Sequence, residues 1–430
     1  MPEVQSDPTY IDVNELSIES YRTGKKFEDL TGQMQTIEIY ESINSHTITV
    51  DIAINDGLDI YSALPITGEE KIILEIATPG GDDSEPIRYE LYVNKILGMT
   101  MADDGSSRSY VIRCCTKEFL TNKVSQYTRK YSDQPGKVIE SILTDKLKSD
   151  KELIISEPTK GTFDYMVYDK RPLQIIDLIT ERSVSLNHKS SLFVFYEDIK
   201  GYNFTTIENL IAIRKEYIGD KQFFFDTNTA ANIKNKNMRN IIAMSIMNTG
   251  DNINKLMSGA LKSKTEALDL ITGKVEVSTY QDSVNSDDFV KIDDSYENFN
   301  SSEYLEEFEV NSGKSFFVLK DISRPENYHD ISIGHKIAYG SKLTQFNSLI
   351  KIAGDTEILP GDVIEINVPV FSSLTLEEQN MGVKTKSTGN YLITDLKRKI
   401  FKKSDQFSHE MSCSLVKGSF ADSDDLKLAG

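Results

Sequence analysis

The sequence predicts a mainly β chain of the α+β class, with two separated β units, an α/β domain between them, and a helical and acidic insertion in the second. Three observations carry this. Apolar residues recur at every second position through the first 115 residues, the spacing turns helical from about Lys117, and the two-residue period returns near Leu349 and runs to Phe420. Strand side chains alternate between faces, whereas helix side chains return to one face every three to four residues, so the two spacings separate the element types.

In the first unit, residues 1–116, Ile48, Val50, Ile52 and Ile54 alternate with Thr47, Thr49, Asp51 and Ala53, and Ile87, Tyr89, Leu91 and Val93 with Arg88, Glu90 and Tyr92. Each run has one face to bury. Further strands are expected at Gln35 to Tyr40, Lys71 to Ala77 and Ser109 to Cys115, with turns at Asn55-Asp56-Gly57 and Thr78-Pro79-Gly80-Gly81. Strands this numerous and this closely spaced predict a closed barrel or a sandwich.

Residues 117–190 read as a small α/β domain. After Pro135-Gly136, Val138, Ile139, Ile142, Leu143 and Leu147 form one helical stripe, and Pro172 opens a second helix carrying Leu173, Ile175, Ile176, Leu178 and Ile179. The second β unit starts within 191–232: a strand is expected at Leu192 to Tyr196, and Thr205 and Glu208 have the spacing of a capping box at a helix start. Residues 233–320 form the insertion, opening with helical spacing at Met238, Ile241, Ile242 and Met244. Between Asp282 and Glu309 it holds ten acidic residues against Lys291 alone. A solvated face accounts for such a run, and a partner-docking surface or a divalent-cation site are the functional alternatives. Residues 321–430 complete the second unit with strands at Val363 to Val370, Tyr391 to Arg398 and Phe407 to Val416, and turns at Pro360-Gly361-Asp362 and Gly389-Asn390.

Composition narrows the function. Among 430 residues, 48 Lys and Arg face 67 Asp and Glu, a net charge of −19 that opposes an electrostatic grip on nucleic acid. A hydrophobic share of 39%, with 20 Tyr and 19 Phe, is too high for a disordered acidic chain. Three cysteines, two of them adjacent at Cys114 and Cys115, build no disulfide framework. The first ten residues lack the apolar core of a secretory signal, and no apolar run nears the roughly 20 residues that cross a bilayer. A soluble protein assembled in the cytoplasm is expected, without contact to a membrane.

Motifs of catalysis or metal binding are incomplete. Gly313-Lys314-Ser315 ends like a phosphate loop, but Phe308 stands where its first glycine belongs. His409-Glu410 begins like a zinc-protease helix, yet Cys413 replaces the second histidine, and strand spacing places His409 beside Phe407, Met411, Cys413 and Leu415 as a packed, hydrogen-bonded residue. His329 and His335 are six apart in an expected loop. No catalytic, cofactor-binding or metal residue is nominated, and no cofactor is expected. The basic cluster Lys397, Arg398, Lys399, Lys402 and Lys403 reads as the end of a late hairpin, either plainly solvated or docking an acidic partner.

The order of segments resembles the central baseplate hub protein of contractile-tailed bacteriophages, which is related to the N-terminal half of the type VI secretion spike. The resemblance rests on Thr47 to Ile54, the helix after Arg171-Pro172-Leu173, Phe193-Val194-Phe195-Tyr196-Glu197 leading into Gly201-Tyr202-Asn203-Phe204, and the late Leu359 to Ile364 and Gly389 to Thr394. It implies two similar antiparallel β-barrels per chain and a homotrimer, hence a ring of six barrels. Such a ring joins a sixfold tail tube or its initiator protein to a threefold spike or needle protein, beside baseplate wedge proteins, with a lumen through which tape-measure protein and DNA pass. It implies a non-enzymatic virion component of the tail baseplate whose spike is a separate chain. The alternatives are a tail-associated cell-wall or polysaccharide hydrolase with a carboxylate pair, a spike component of a type VI-like system, and a glycan-binding module.

Overall fold

The structure is a computed structural model and describes residues 9–78, 86–215, 221–224, 239–249, 257–281, 289–292, 314–320, 329–344, 346–368, 387–404 and 406–418. It is mainly β, as the alternation predicts, and one large sheet organises it. The five early strands lie at Met34–Ser42, Thr49–Asp56, Glu70–Ala77, Ile87–Met101 and Arg108–Cys115, each within a few residues of its expected place except that Ile87–Met101 runs longer. An earlier strand, Tyr10–Ser20, precedes them.

Hydrogen-bond pairing in the large sheet returns on itself twice. From Gly389–Lys403 it passes antiparallel through Met34–Ser42, Thr49–Asp56, Arg108–Cys115, Ile87–Met101, Glu70–Ala77, Tyr10–Ser20 and Gln406–Lys417, then back to Gly389–Lys403. This is a closed circuit of eight strands. A second circuit runs through Gln222–Phe224, Val363–Asn367, the same two late strands, Phe346–Ala353 and Ile241–Thr249. It closes through one isolated bridge, Phe224 to Asn240.

The two circuits share the long hairpin Gly389–Lys403/Gln406–Lys417, and its strands divide between them by position. Gly389 to Leu392 pairs with Val363–Asn367, whereas Asp395 to Phe401 pairs with Met34–Ser42. Tyr10 and Ile11 pair with Ser408 and Phe407, while Glu410 to Lys417 pairs with Phe346–Ala353. Closing the first circuit therefore takes this hairpin as well as the early strands. Each circuit encloses its own apolar core, the first with Ile37, Ile52, Ile72, Leu91 and Ile112, the second with Phe223, Ile350, Ile366, Tyr391 and Leu415.

Between the two halves lies a compact α/β region. Helices Lys117–Val124, Pro135–Ser141 and Pro172–Arg182 pack with the strands Phe193–Asp198, Gly201–Thr206 and Leu153–Ile155 and the pair Tyr127–Asp133/Phe163–Lys170. The stripe after Pro135-Gly136 is helical, with a π-helical turn over Ile142–Leu147. A further sheet, Lys262–Asp269 with Val275–Gln281 and Lys314–Lys320, packs against helix His329–Leu343.

Four local expectations change. Ile241 to Met244 belongs to a strand, Ile241–Thr249; a short apolar run fits either period, and the ladder offered by Phe346–Ala353 decides. His329 and His335 lie in a helix, with His335 edge-on to Tyr280 at 4.9 Å between ring centres. Gly389-Asn390 opens a strand instead of making a turn, with Gly389 at a φ of 131°. The helix at Ile207–Lys215 forms where expected, but its cap is Thr206, whose Oγ1 accepts the Asn209 N–H at 3.1 Å, while Glu208 is buried. The turn expected at Thr78 to Gly81 lies largely outside the described residues, as do all ten carboxylates of the acidic stretch.

Candidate assembly surface

The most unusual chemistry sits where the two cores meet. On Gly389–Lys403, Leu396 faces the second core and Ile400 the first, and Arg398 falls between them on the same inward face, fully buried. Its Nε donates to Glu41 Oε2 at 2.8 Å, Nη1 to the Asp355 carbonyl at 2.8 Å and Nη2 to the Ile358 carbonyl at 2.5 Å. Burial alone would loosen its proton, but the Glu41 carboxylate outweighs that and holds the guanidinium charged. Beside it His409 is enclosed with both ring nitrogens unbonded, and burial followed by the Arg398 charge pushes its pKa down to about 3. The expected packed histidine is there, but without hydrogen bonds to its ring. Gly354 lies against this ring so closely that a Cβ would sit 2.0 Å from it.

This splits the predicted basic cluster. Arg398 is inside and unavailable to any partner, because an inward position on a shared strand places it in the seam. Lys397 lies outward, 2.9 Å from Glu38 and over the Tyr40 ring, and Lys399 lies over Phe401. Lys402 is exposed near the end of the hairpin, with Lys403 beside it. The two-residue period already carried the signal for Arg398, since it shares a face with Leu396 and Ile400.

Two other buried ion networks fasten segments together. Lys151 Nζ bridges Glu118, at 3.0 Å, and Glu197. The Glu197 carboxylate also accepts Thr116 Oγ1 at 2.9 Å and the Ile48 N–H at 3.0 Å, tying the α/β region to the first circuit. Asp362, in the Pro360-Gly361-Asp362 turn, meets Arg214 at 2.9 Å and Lys221 at 2.6 Å, and accepts the Leu359 N–H at 3.0 Å. These carboxylates are buried and already engaged, so they are poorly placed to reach a substrate proton. Glu208 differs, being buried with neither oxygen hydrogen-bonded, and burial raises its pKa to about 7.

Outward, the first circuit is laced with ion pairs: Asp51 with Arg113 at 2.7 Å, Glu15 with Arg88 at 2.8 Å and Lys71 with Glu90 at 2.6 Å. Across the shared hairpin runs a cleft of about 420 Å³ with Ser42, Thr49, Leu349, Asp395, Lys397 and Ser412 in its lining. Among the described residues no group of three or more His, Cys, Asp or Glu is gathered as a metal site, and no helix is long and apolar enough to cross a membrane. Lys314 and Ser315 lie in the strand Lys314–Lys320, and Gly313 lies outside the described residues.

No protein-family model and no curated protein matches the chain. Solved structures do. A tail protein from Neisseria meningitidis MC58 superposes with a TM-score of 0.54 at 10% identity, over 96% of this chain and 98% of that one. The chain has the fold of this tail protein. A 43 kDa tail protein of prophage MuSo2 from Shewanella oneidensis superposes similarly, with a TM-score of 0.53 at 10% identity over 95% of this chain and 100% of that one. At such identity the tail-protein fold is shared by backbone path, while the surface chemistry is this chain's own.

Proposed function

We propose that this chain is the structural hub of a phage tail baseplate. The observation that carries the reading is the pair of closed pairing circuits sharing one hairpin, which we read as two β-barrels per chain held in fixed relation. Three copies then make a ring that is chemically threefold and approximately sixfold. That symmetry suits a sixfold tail tube, or its initiator, on one side and a threefold spike on the other, with wedge proteins around it. The tail-protein fold supports a place in the virion tail. The net charge of −19 suits a lumen that DNA traverses without sticking. The chain acts through interfaces and not through catalysis, a reading that the tail-protein fold supports.

The test is imaging of the purified protein by negative stain with class averages, with molar mass from light scattering. A lobed ring with an open centre and the mass of three chains is expected. A compact single chain, persisting when the spike protein is added, would overturn the reading, and clearing of cell wall on a zymogram would favour the hydrolase instead.

A further inference from the structure

Helix His329–Leu343 is packed on two sides. Toward its own sheet, Gly334 lies so close that a Cβ would sit 2.8 Å from Ser263 Oγ and 2.8 Å from Tyr280 Cβ. Toward the α/β region, Lys336 Nζ donates to the Glu181 and Ser183 carbonyls, each at 2.7 Å, at the C-terminal end of helix Pro172–Arg182. A cation suits the carbonyls left over at a helix end. Ala338 and Tyr339 share an apolar core with Ile207, Leu210 and Ile211, so the long helix covers helix Ile207–Lys215 as well.

Two carboxylates are enclosed at this junction. Glu208, in the first turn of Ile207–Lys215, is fully buried with neither oxygen hydrogen-bonded. Glu157 is also fully buried. Ser185 Oγ donates to one of its oxygens, and the other has no hydrogen bond, with His188 Nε2 3.9 Å away. The charges that act on Glu208 come from both sides of the junction: Glu157 from the α/β region, and Lys336 and Tyr339 from the long helix. Lys336 in turn feels Glu181 and Glu208. Its hydrogen bonds go to carbonyls and to neither buried carboxylate. Two enclosed carboxylates beside one cation that is bonded elsewhere form an arrangement that a proton improves.

We propose that the seat of helix His329–Leu343 on the α/β region is a proton-operated latch centred on Glu208, closed in acid and loosest near neutral pH. Burial raises the Glu208 pKa from the ordinary 4.5 to about 7, so the seated form takes up a proton between those values. Seating is therefore strongest below pH 4.5 and weakens as pH rises through 7. Burial lowers the Lys336 pKa from 10.5 to about 8, so the cost of covering its charge is full below pH 8 and is relieved only above it. Both costs fall together between pH 7 and pH 8. The latch works within one copy, so its failure leaves the hub reading untouched.

The test follows backbone hydrogen exchange of the full chain by mass spectrometry, corrected for the intrinsic effect of pH, in peptides from His329–Leu343 and, for reference, from Met34–Ser42. Between pH 5 and pH 7.5 the helix of the wild type is expected to open more than about tenfold more often, while Met34–Ser42 keeps its protection. Glu208→Gln keeps the shape and removes the proton site, and is expected to hold the helix as firmly at pH 7.5 as at pH 5. His188→Gln is expected to leave most of the rise in place. A flat wild-type profile overturns the latch. So does a rise that survives Glu208→Gln, one that His188→Gln abolishes, or one that Met34–Ser42 shares equally. If Glu208→Gln fails to fold by circular dichroism, Lys336→Met decides: loss of the cation should move the rise to higher pH, and an unmoved rise overturns the proposal.

Discussion

The two circuits share a hairpin but are held together differently. The first has a core almost wholly of Ile, Leu and Val and carries ion pairs on its outer face, with Glu41, Asp56 and Glu70 buried on its strands. The second closes through a single bridge and keeps the Ser348 hydroxyl buried without a hydrogen bond, and the buried Arg398–Glu41 seam joins the two. The difference teaches that a continuous ladder and apolar burial close one circuit, while directed polar contacts at the shared hairpin fix the second against it. Apolar packing is non-directional, and the fork of Arg398 binds a carboxylate and two carbonyls in one geometry.

If the seam couples the circuits, Arg398→Met should cost the most. It strands the Glu41 carboxylate in the interior and is expected to lose about 3–5 kcal/mol in urea unfolding, most of it recovered on adding Glu41→Leu. A loss confined to one of two unfolding transitions would break the comparison, by showing that the circuits unfold apart.

His409 sharpens it through pH. Its folded pKa of about 3 lies below the ordinary 6.5, so the unfolded chain takes the proton first. Its contribution is intact above pH 6.5 and is lost as pH falls toward 3. Relative to wild type, His409→Leu should therefore gain about 3 kcal/mol between pH 7 and pH 4, at about 1.4 kcal/mol per pH unit. Parallel stability curves for the two proteins would remove His409 from the account.

Ser348→Ala tests the unsatisfied polarity of the second circuit and should stabilise by about 1 kcal/mol in thermal or urea melts, since a buried hydroxyl without a partner is removed. A loss of that size would reveal a hydrogen bond on Ser348 instead. Smallest of all, Lys402→Glu should change stability by less than about 0.5 kcal/mol. A marked loss of spike binding in that variant, measured by pull-down with purified spike protein, would give the exposed end of the basic cluster its docking role.

Much of the fold was legible because period two is a strong signal when one strand face is buried. Ile48 to Ile54 and Ile87 to Val93 are such runs, and both are strands. Ile241 to Met244 was not legible, since with Met238 they satisfy a helical stripe, while the strand identity of Ile241, Ile242 and Met244 depends on a partner more than a hundred residues later. The capping position moved by one residue because Thr205 and Thr206 are chemically alike, and the start of the helix chose between them. Of the candidate site, the exposed lysines were readable as a charge cluster. Arg398 belonged to that cluster by composition and to the core by period, and burial decided for the core.

The sequence by itself determined that this chain is mainly β, where most strands and two of the central helices lie, and that its acidity opposes nucleic-acid binding, because these follow from local spacing and summed charge. Only the tertiary structure decided that the pairing closes twice around one hairpin, that Arg398 turns inward to Glu41, and that Ile241–Thr249 pairs with Phe346–Ala353. Those are properties of which distant strand lies beside which, and backbone hydrogen bonds, being the same for nearly every residue, do not write their partner into the sequence.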